Sequence, residues 1–190
     1  MKITRAPEFW SPDALREKTK SPFELAIGSV RSLNARIDQP MQLYNWVTRM
    51  GEKKYYYQAP TGFPDKGAYW INTGSLLNRM NFGLALAADR IPGVYVDLLS
   101  LNNGHEPESA AAALLTYGHI ILPERNLDAT VKRLTPMLND PSFSKKVEDA
   151  SAKTMVSDST AVAMSMVEAG DPMLAQVVGI IIGSPEYQRR

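Results

Sequence analysis

Cysteine is absent from all 190 residues. That single absence removes disulfides, thiolate nucleophiles, cysteine-ligated zinc and iron–sulfur clusters together. Histidine is almost absent as well. His105 and His119 are the only two, so a multi-histidine metal centre is excluded by counting, and no metal is expected. An excess of charge of either sign is missing, with 21 Lys and Arg against 20 Asp and Glu. Gripping nucleic acid through its phosphates needs a clustered cationic surplus, so no nucleic-acid partner is expected. No apolar run approaches the ~18–20 residues that cross a bilayer; the best, Val177 to Ile182, is far shorter. Membrane insertion is therefore not expected, and the first ten residues lack the apolar stretch of a signal peptide.

What is present suffices for a core. With 44% hydrophobic and 22% charged residues, the chain reads as one folded domain over residues 1–190, with a soft internal boundary near 102–104. Proline follows Ser or Asp at Ser11-Pro12, Ser21-Pro22, Asp140-Pro141, Asp171-Pro172 and Ser184-Pro185. Proline suits the first helical turn and Ser or Asp caps its open amides, so each pair predicts a helix start. Ser21-Pro22-Phe23-Glu24 adds the carboxylate of a capping box.

Helical spacing then predicts the buried faces. Phe23, Ile27, Val30, Leu33 and Ile37 form one stripe, and a second helix runs from about Pro40 to Met50, ended by Gly51. A third starts near Thr73 with Leu76, Leu77, Met80, Leu84 and Ala87 on one face. Pro107 opens an alanine-rich helix that ends near Gly118. Leu127, Val131, Leu134 and Leu138 mark another, bent or shortened at Pro136. Phe143, Val147 and Ala150, and then residues 158–169, give two more before Gly170. Leu174, Val177, Val178 and Ile181 stand at i, i+3, i+4 and i+7. Period-two alternation is confined to Val94-Tyr95-Val96-Asp97. The expected fold is all-α: an irregular bundle of about seven to nine helices.

Lys53 to Tyr69 breaks the helical grammar. Tyr55, Tyr56, Tyr57, Pro60, Gly62, Phe63, Pro64 and Gly67 crowd into it, and Trp70 follows. Glycine and proline at this density forbid a long helix, while the aromatics argue for order. Tyr57, Phe63, Tyr69 and Trp70, with Arg79 and Asn81 on the next helix, are the candidate residues of a binding or structural loop. Either they fold inward as a plug between the first three helices, with Trp70 and Phe63 buried, or they face out as a recognition surface. Lys53, Lys54 and Asn72 would add polar contacts.

Motifs with chemical content are few. Ser142-Phe143-Ser144-Lys145 has the Ser-x-x-Lys spacing of penicillin-recognising enzymes, yet their companion elements fail at Ser157-Asp158-Ser159 and Lys153-Thr154-Met155. A serine and a lysine on the wet face of a helix is the reading adopted. His105-Glu106-Pro107-Glu108 reads as a helix start rather than a ligand set. Met155, Met164, Met166 and Met173 read as flexible core filling. No Gly-x-Ser-x-Gly, P-loop or dinucleotide fingerprint occurs, so no cofactor and no catalytic residue is expected.

Several segments resemble one bacterial family. Arg16 to Leu25 looks like its Arg-x-Lys-x-Lys-Ser-Pro-x-Glu run, continued by Val30-Arg31-Ser32-Leu33. Met50-Gly51, Pro60, Gly62-Phe63-Pro64 and Trp70-Ile71-Asn72-Thr73 follow, then Leu76-Leu77, Arg79 and Asn81-Phe82. Ser184-Pro185-Glu186-Tyr187-Gln188 looks like its terminal motif. Together these resemble the C-terminal region of the domain-of-unknown-function 1800 family, with Phe63 in place of a tryptophan and Ala59 in place of a second proline. The resemblance implies no reaction. It implies a piece of a longer, exported protein, with the missing N-terminal region of that protein as partner. Two functions follow as expectations: a structural or interaction module, or a fragment of an enzyme, such as a hydrolase, whose catalytic groups lie elsewhere. Ile180, Ile181 and Ile182 point three ways around one helix, so an apolar patch on this helix or the first one, driving homodimers, is also expected.

Overall fold

A computed structural model describes residues 3–11, 17–123, 125–138 and 171–189. The helices expected after Asp140-Pro141 and over 158–169, the start at Ser11-Pro12, the Ser142–Lys145 pair, Arg16, and Met155, Met164 and Met166 lie outside the described residues. Within them the chain is mostly helical, with a single two-strand ladder.

The capped starts appear where serine and aspartate place them. Helix α1 (Pro22–Ser32) opens on the full capping box. The Glu24 N–H donates to Ser21 Oγ at 3.3 Å and the Ser21 N–H donates to Glu24 Oε2 at 2.9 Å. Strand β1 (Arg36–Ile37) leads to α2 (Pro40–Arg49), which stops at Gly51 with φ of 104°. The aromatic segment contains one helical turn, α3 (Gly67–Trp70), before α4 (Thr73–Ala87), capped by Asn72. Strand β2 (Val94–Tyr95) pairs antiparallel with β1, Arg36 opposite Tyr95 and Ile37 opposite Val94. The short turn α5 (Leu98–Leu101) precedes α6 (Ala110–Ile121) and α7 (Asp128–Leu138), which carries Pro136 inside it. Helices α8 (Pro172–Gly183) and α9 (Pro185–Gln188) follow, capped by Asp171 and Ser184.

Helix α8 is the axis of the bundle. It lies along α4 and against α6, with Leu174, Val177, Val178, Ile181 and Ile182 buried. Each such side chain contributes roughly 1.5–3 kcal/mol by leaving water. Two glycines set the α4–α8 distance. A Cβ on Gly83 would stand 2.9 Å from the Gly179 carbonyl oxygen, and one on Gly179 would stand 2.9 Å from Leu84 Cα. The expected apolar patch on this helix is therefore not there: two of its three consecutive isoleucines are inside the bundle and Ile180 packs partly against the core.

Three faces differ from their sequence-based expectation. On α1 the buried side carries Pro22, Leu25, Ala26, Ser29 and Val30, while Phe23 and Ile27 face out and Ile37 sits exposed on β1. Ser29 is tolerated inside because its hydroxyl donates to the Leu25 carbonyl at 2.8 Å. On α4 the stripe of Leu76, Leu77 and Met80 is exposed; Ser75, Arg79, Phe82, Gly83 and Leu86 are buried instead. On α6 the start is Ser109 rather than Pro107, and Gly118 is no stop. It is a contact point: a Cβ there would meet Leu127 Cδ1 at 2.6 Å.

Candidate binding cleft

Residues 184–189 and the start of α1 are sewn together through α4. Ser184 Oγ accepts the Tyr187 N–H at 3.3 Å and donates to the Ile181 carbonyl at 2.7 Å. The Tyr187 hydroxyl shares a 3.2 Å hydrogen bond with Ser32 of α1, and Lys20 Nζ lies 3.8 Å from the Tyr187 ring centre. The Lys20 N–H donates to the Gln188 carbonyl at 2.8 Å, and Thr19 bridges Arg189. Glu186 accepts two hydrogen bonds from Arg133 Nη2, at 2.9 and 3.0 Å. Burial pushes the Glu186 carboxyl up, but a backbone hydrogen bond and Arg133 outweigh it and hold it below the usual carboxylate range.

Arg79 closes this clasp from behind. Its side chain is fully buried. Nη2 donates to the Lys20 carbonyl at 2.9 Å and Nη1 to Gln188 Oε1 at 3.3 Å, while Gln188 Nε2 donates to the Gly183 carbonyl. Desolvation lowers the guanidinium pKa to about 10, opposed by the nearby charge of Glu52. It stays protonated near neutral pH, as the two acceptors require.

Glu52, just past the end of α2, links the clasp to an open cleft. Its side chain is buried, with Oε2 accepting the Phe23 N–H at 2.8 Å, so a carboxylate sits on the positive end of α1. Oε1 takes Lys54 Nζ at 2.5 Å, and that ammonium lies 4.6 Å from the centre of the Phe23 ring. Across the opening, Lys18 Nζ and Asp65 Oδ1 are 2.6 Å apart. Between them lies a cleft of about 250 Å³ with Phe63, Pro64 and Trp70 on its aromatic side. Thr19 joins the two regions: it lines the cleft, pairs with Arg189, and leaves no room for a Cβ on Gly67.

The aromatic candidates from the sequence do come together. Tyr57 stacks on Phe63 at 4.7 Å between ring centres, Phe63 on Trp70 at 5.6 Å, and Tyr69 meets Trp70 edge-on at 4.9 Å. Trp70 is buried at 5% exposure, but Phe63 and Tyr57 are half-buried and Tyr69 is 44% exposed. Phe63 is thus less enclosed than the plug reading expects, because the cleft opens beside it. Trp70 is held by backbone as well, since its carbonyl accepts from Ser75 Oγ at 2.8 Å. Arg79 and Asn81 are buried in α4 and do not line the cleft. Lys18, Phe23, Glu52 and Asp65 do line it, and sequence reasoning missed them. A lone acid between the helix-ending Gly51 and two lysines was the one available signal.

A second cleft, about 220 Å³, is lined by Asp89, Asp97 and Asp171. Each carboxylate already accepts a backbone N–H: from Val96 at 2.7 Å, from Ser100 at 2.9 Å and from Met173 at 2.9 Å. Burial pushes the Asp89 carboxyl above its usual value. These are turn and helix caps. Among the described residues no three His, Asp or Glu side chains form a group able to hold a metal ion. His105 and His119 are both exposed.

The architecture is that of a mostly helical irregular bundle with a clasped edge and one small cleft lined by aromatic rings and ion pairs. Over residues 1–189 the chain matches the family model described as Protein of unknown function (DUF1800), and it belongs to that family. Neither the curated proteins nor the solved structures contain a match to it.

Proposed function

We propose that this chain is a non-catalytic helical module, the C-terminal part of a larger exported bacterial protein, which docks on the N-terminal region of that protein. The outward face of α4 carries the proposal. Leu76, Leu77 and Met80 are exposed there, Leu77 by 54%, and Ile71 beside the helix start is also open. Large apolar side chains gathered on one helix face are what an interaction surface offers. Helix α8 packs over Gly83 and Leu84 and, at Gly183, against the base of Met80, which leaves Leu76, Leu77 and the rest of Met80 open to a partner. A homodimer through the same face is the competing occupant.

The test is to supply the upstream region of the gene product in trans. Leu76→Glu and Leu77→Glu are expected to abolish its capture while leaving the melting temperature of the isolated chain unchanged. Association untouched by either change would refute the docking face, and sedimentation of the chain alone reads out the homodimer. The other reading, a fragment of a hydrolase, finds its one supporting observation in buried Glu52. Both oxygens of that carboxylate are already engaged, by the Phe23 N–H and by Lys54. That carboxylate caps the start of α1 and holds a lysine, a structural task, so the module reading is preferred.

A further inference from the structure

We propose that the cleft over the start of α1 binds a neutral polyhydroxylated ring, one unit of a saccharide, laid against Phe63 and Trp70. The charges around the cleft are matched within the protein. Lys18 pairs with Asp65, Lys54 pairs with Glu52, and Glu24 accepts the Ser21 N–H in the capping box. A charged ligand meets, at every charge of the cleft, an opposite or donor group already in place, and to be held by Glu52 or Lys54 it must separate a part-buried pair. A neutral polyol does not. Its hydroxyls both donate and accept, so they can bridge an ammonium and a carboxylate while each pair stays intact.

The aromatic side supplies the second half of the chemistry. The half-buried Phe63 ring, backed by buried Trp70 at 5.6 Å between ring centres with 40° between their planes, is the apolar surface beside the polar groups. A sugar ring has an apolar C–H face for such a surface and a hydroxyl rim for the ion pairs. Size agrees: 250 Å³ is the space of about eight waters at ~30 Å³ each. That suits one six-membered ring and falls below the ~300–1,000 Å³ of drug-sized ligands. The wall is also set in advance. Trp70 is buried and anchored through Ser75, and Gly67 is pressed against Thr19, so little ordering remains for a ligand to impose.

Calorimetry on the whole chain tests this, using trisaccharides of glucose and of N-acetylglucosamine, with sorbitol, n-butylammonium and inorganic phosphate as comparators. At least one trisaccharide is expected to bind with roughly millimolar affinity, and the open-chain and charged comparators are expected not to. Phe63→Ala should weaken that binding at least about tenfold in a protein whose circular dichroism still reports the native helix content. In a Trp10→Phe, Trp46→Phe background, Trp70 fluorescence should shift on binding; if that background does not fold, calorimetry with Phe63→Ala decides alone. Absence of binding by every trisaccharide overturns the proposal. So does equal or tighter binding of butylammonium, of phosphate or of sorbitol, or trisaccharide binding that Phe63→Ala leaves unchanged. The α4 variants Leu76→Glu and Leu77→Glu lie outside the cleft, so the docking face and the saccharide site fail or stand separately.

Discussion

The clasp and the cleft lie side by side, share Thr19, and solve opposite problems. In the clasp, polar side chains find partners inside the protein: buried Arg79 reaches Lys20 and Gln188, buried Tyr187 reaches Ser32, and half-buried Glu186 meets Arg133 at the surface. On the cleft rim the ion-pair side chains are left in water, with Asp65 91% exposed and Lys18 37% exposed at the side chain, while Glu52 and Trp70 form its buried floor. A buried charge must be satisfied or the fold is lost, whereas an exposed ion pair contributes about 0–1 kcal/mol. The clasp therefore holds the bundle, with Glu52 doing the same for the start of α1, and the rim of the cleft is free to do something else.

Removing Arg79 breaks this contrast hardest. Arg79→Ala takes away two charged hydrogen bonds at ~1.5–3 kcal/mol each, so a loss of roughly 3–5 kcal/mol is expected from urea unfolding. A loss below about 1 kcal/mol would mean that the guanidinium is a passenger. Gln188→Ala removes one acceptor of Arg79 and the donor to Gly183, with an expected cost of about 2 kcal/mol in the same measurement.

How far these two regions were legible in the sequence differs for a physical reason. Local rules announced the helix starts: Ser21-Pro22 with Glu24, Asp171-Pro172 and Ser184-Pro185 all cap helices. The i, i+3, i+4, i+7 pattern of α8 placed its buried face correctly, because every large side chain on that face is apolar. On α1 and α4 the same rule was right for Val30, Leu33 and Ala87 and wrong for Phe23, Ile27, Leu76, Leu77 and Met80. It counts large apolar residues, and the core there accepts Ser29, Ser75, Arg79 and Gly83, each made tolerable by a partner or a close approach that spacing does not reveal. The aromatic half of the cleft was legible as a dense local cluster. Its polar half was not, since Glu52 meets Phe23 from 29 residues away and Lys18 meets Asp65 from 47.

Two smaller effects sharpen the comparison. Glu186 has a depressed pKa, so its pairing stabilises the fold above the ordinary carboxylate value and is lost as pH falls through the lowered value. Glu186→Gln is expected to cost up to about 1 kcal/mol near neutrality and to flatten the acid limb of a stability–pH curve. An unchanged acid limb would remove Glu186 from the clasp. Lys18→Ala, on the cleft rim, is expected to change unfolding free energy by less than about 0.5 kcal/mol. A larger loss would show that the cleft carries stability too.

Native-state hydrogen exchange separates the two regions in one experiment. The Lys20 amide, bonded to the Gln188 carbonyl, should exchange only through global unfolding, while the Tyr56 and Gly62 amides, bonded to Lys53 and Ala59 in the loop, should exchange through local opening. Loop amides protected to the global limit, or a Lys20 amide that exchanges with the loop, would contradict the division between a clasp that holds the fold and a cleft that does not.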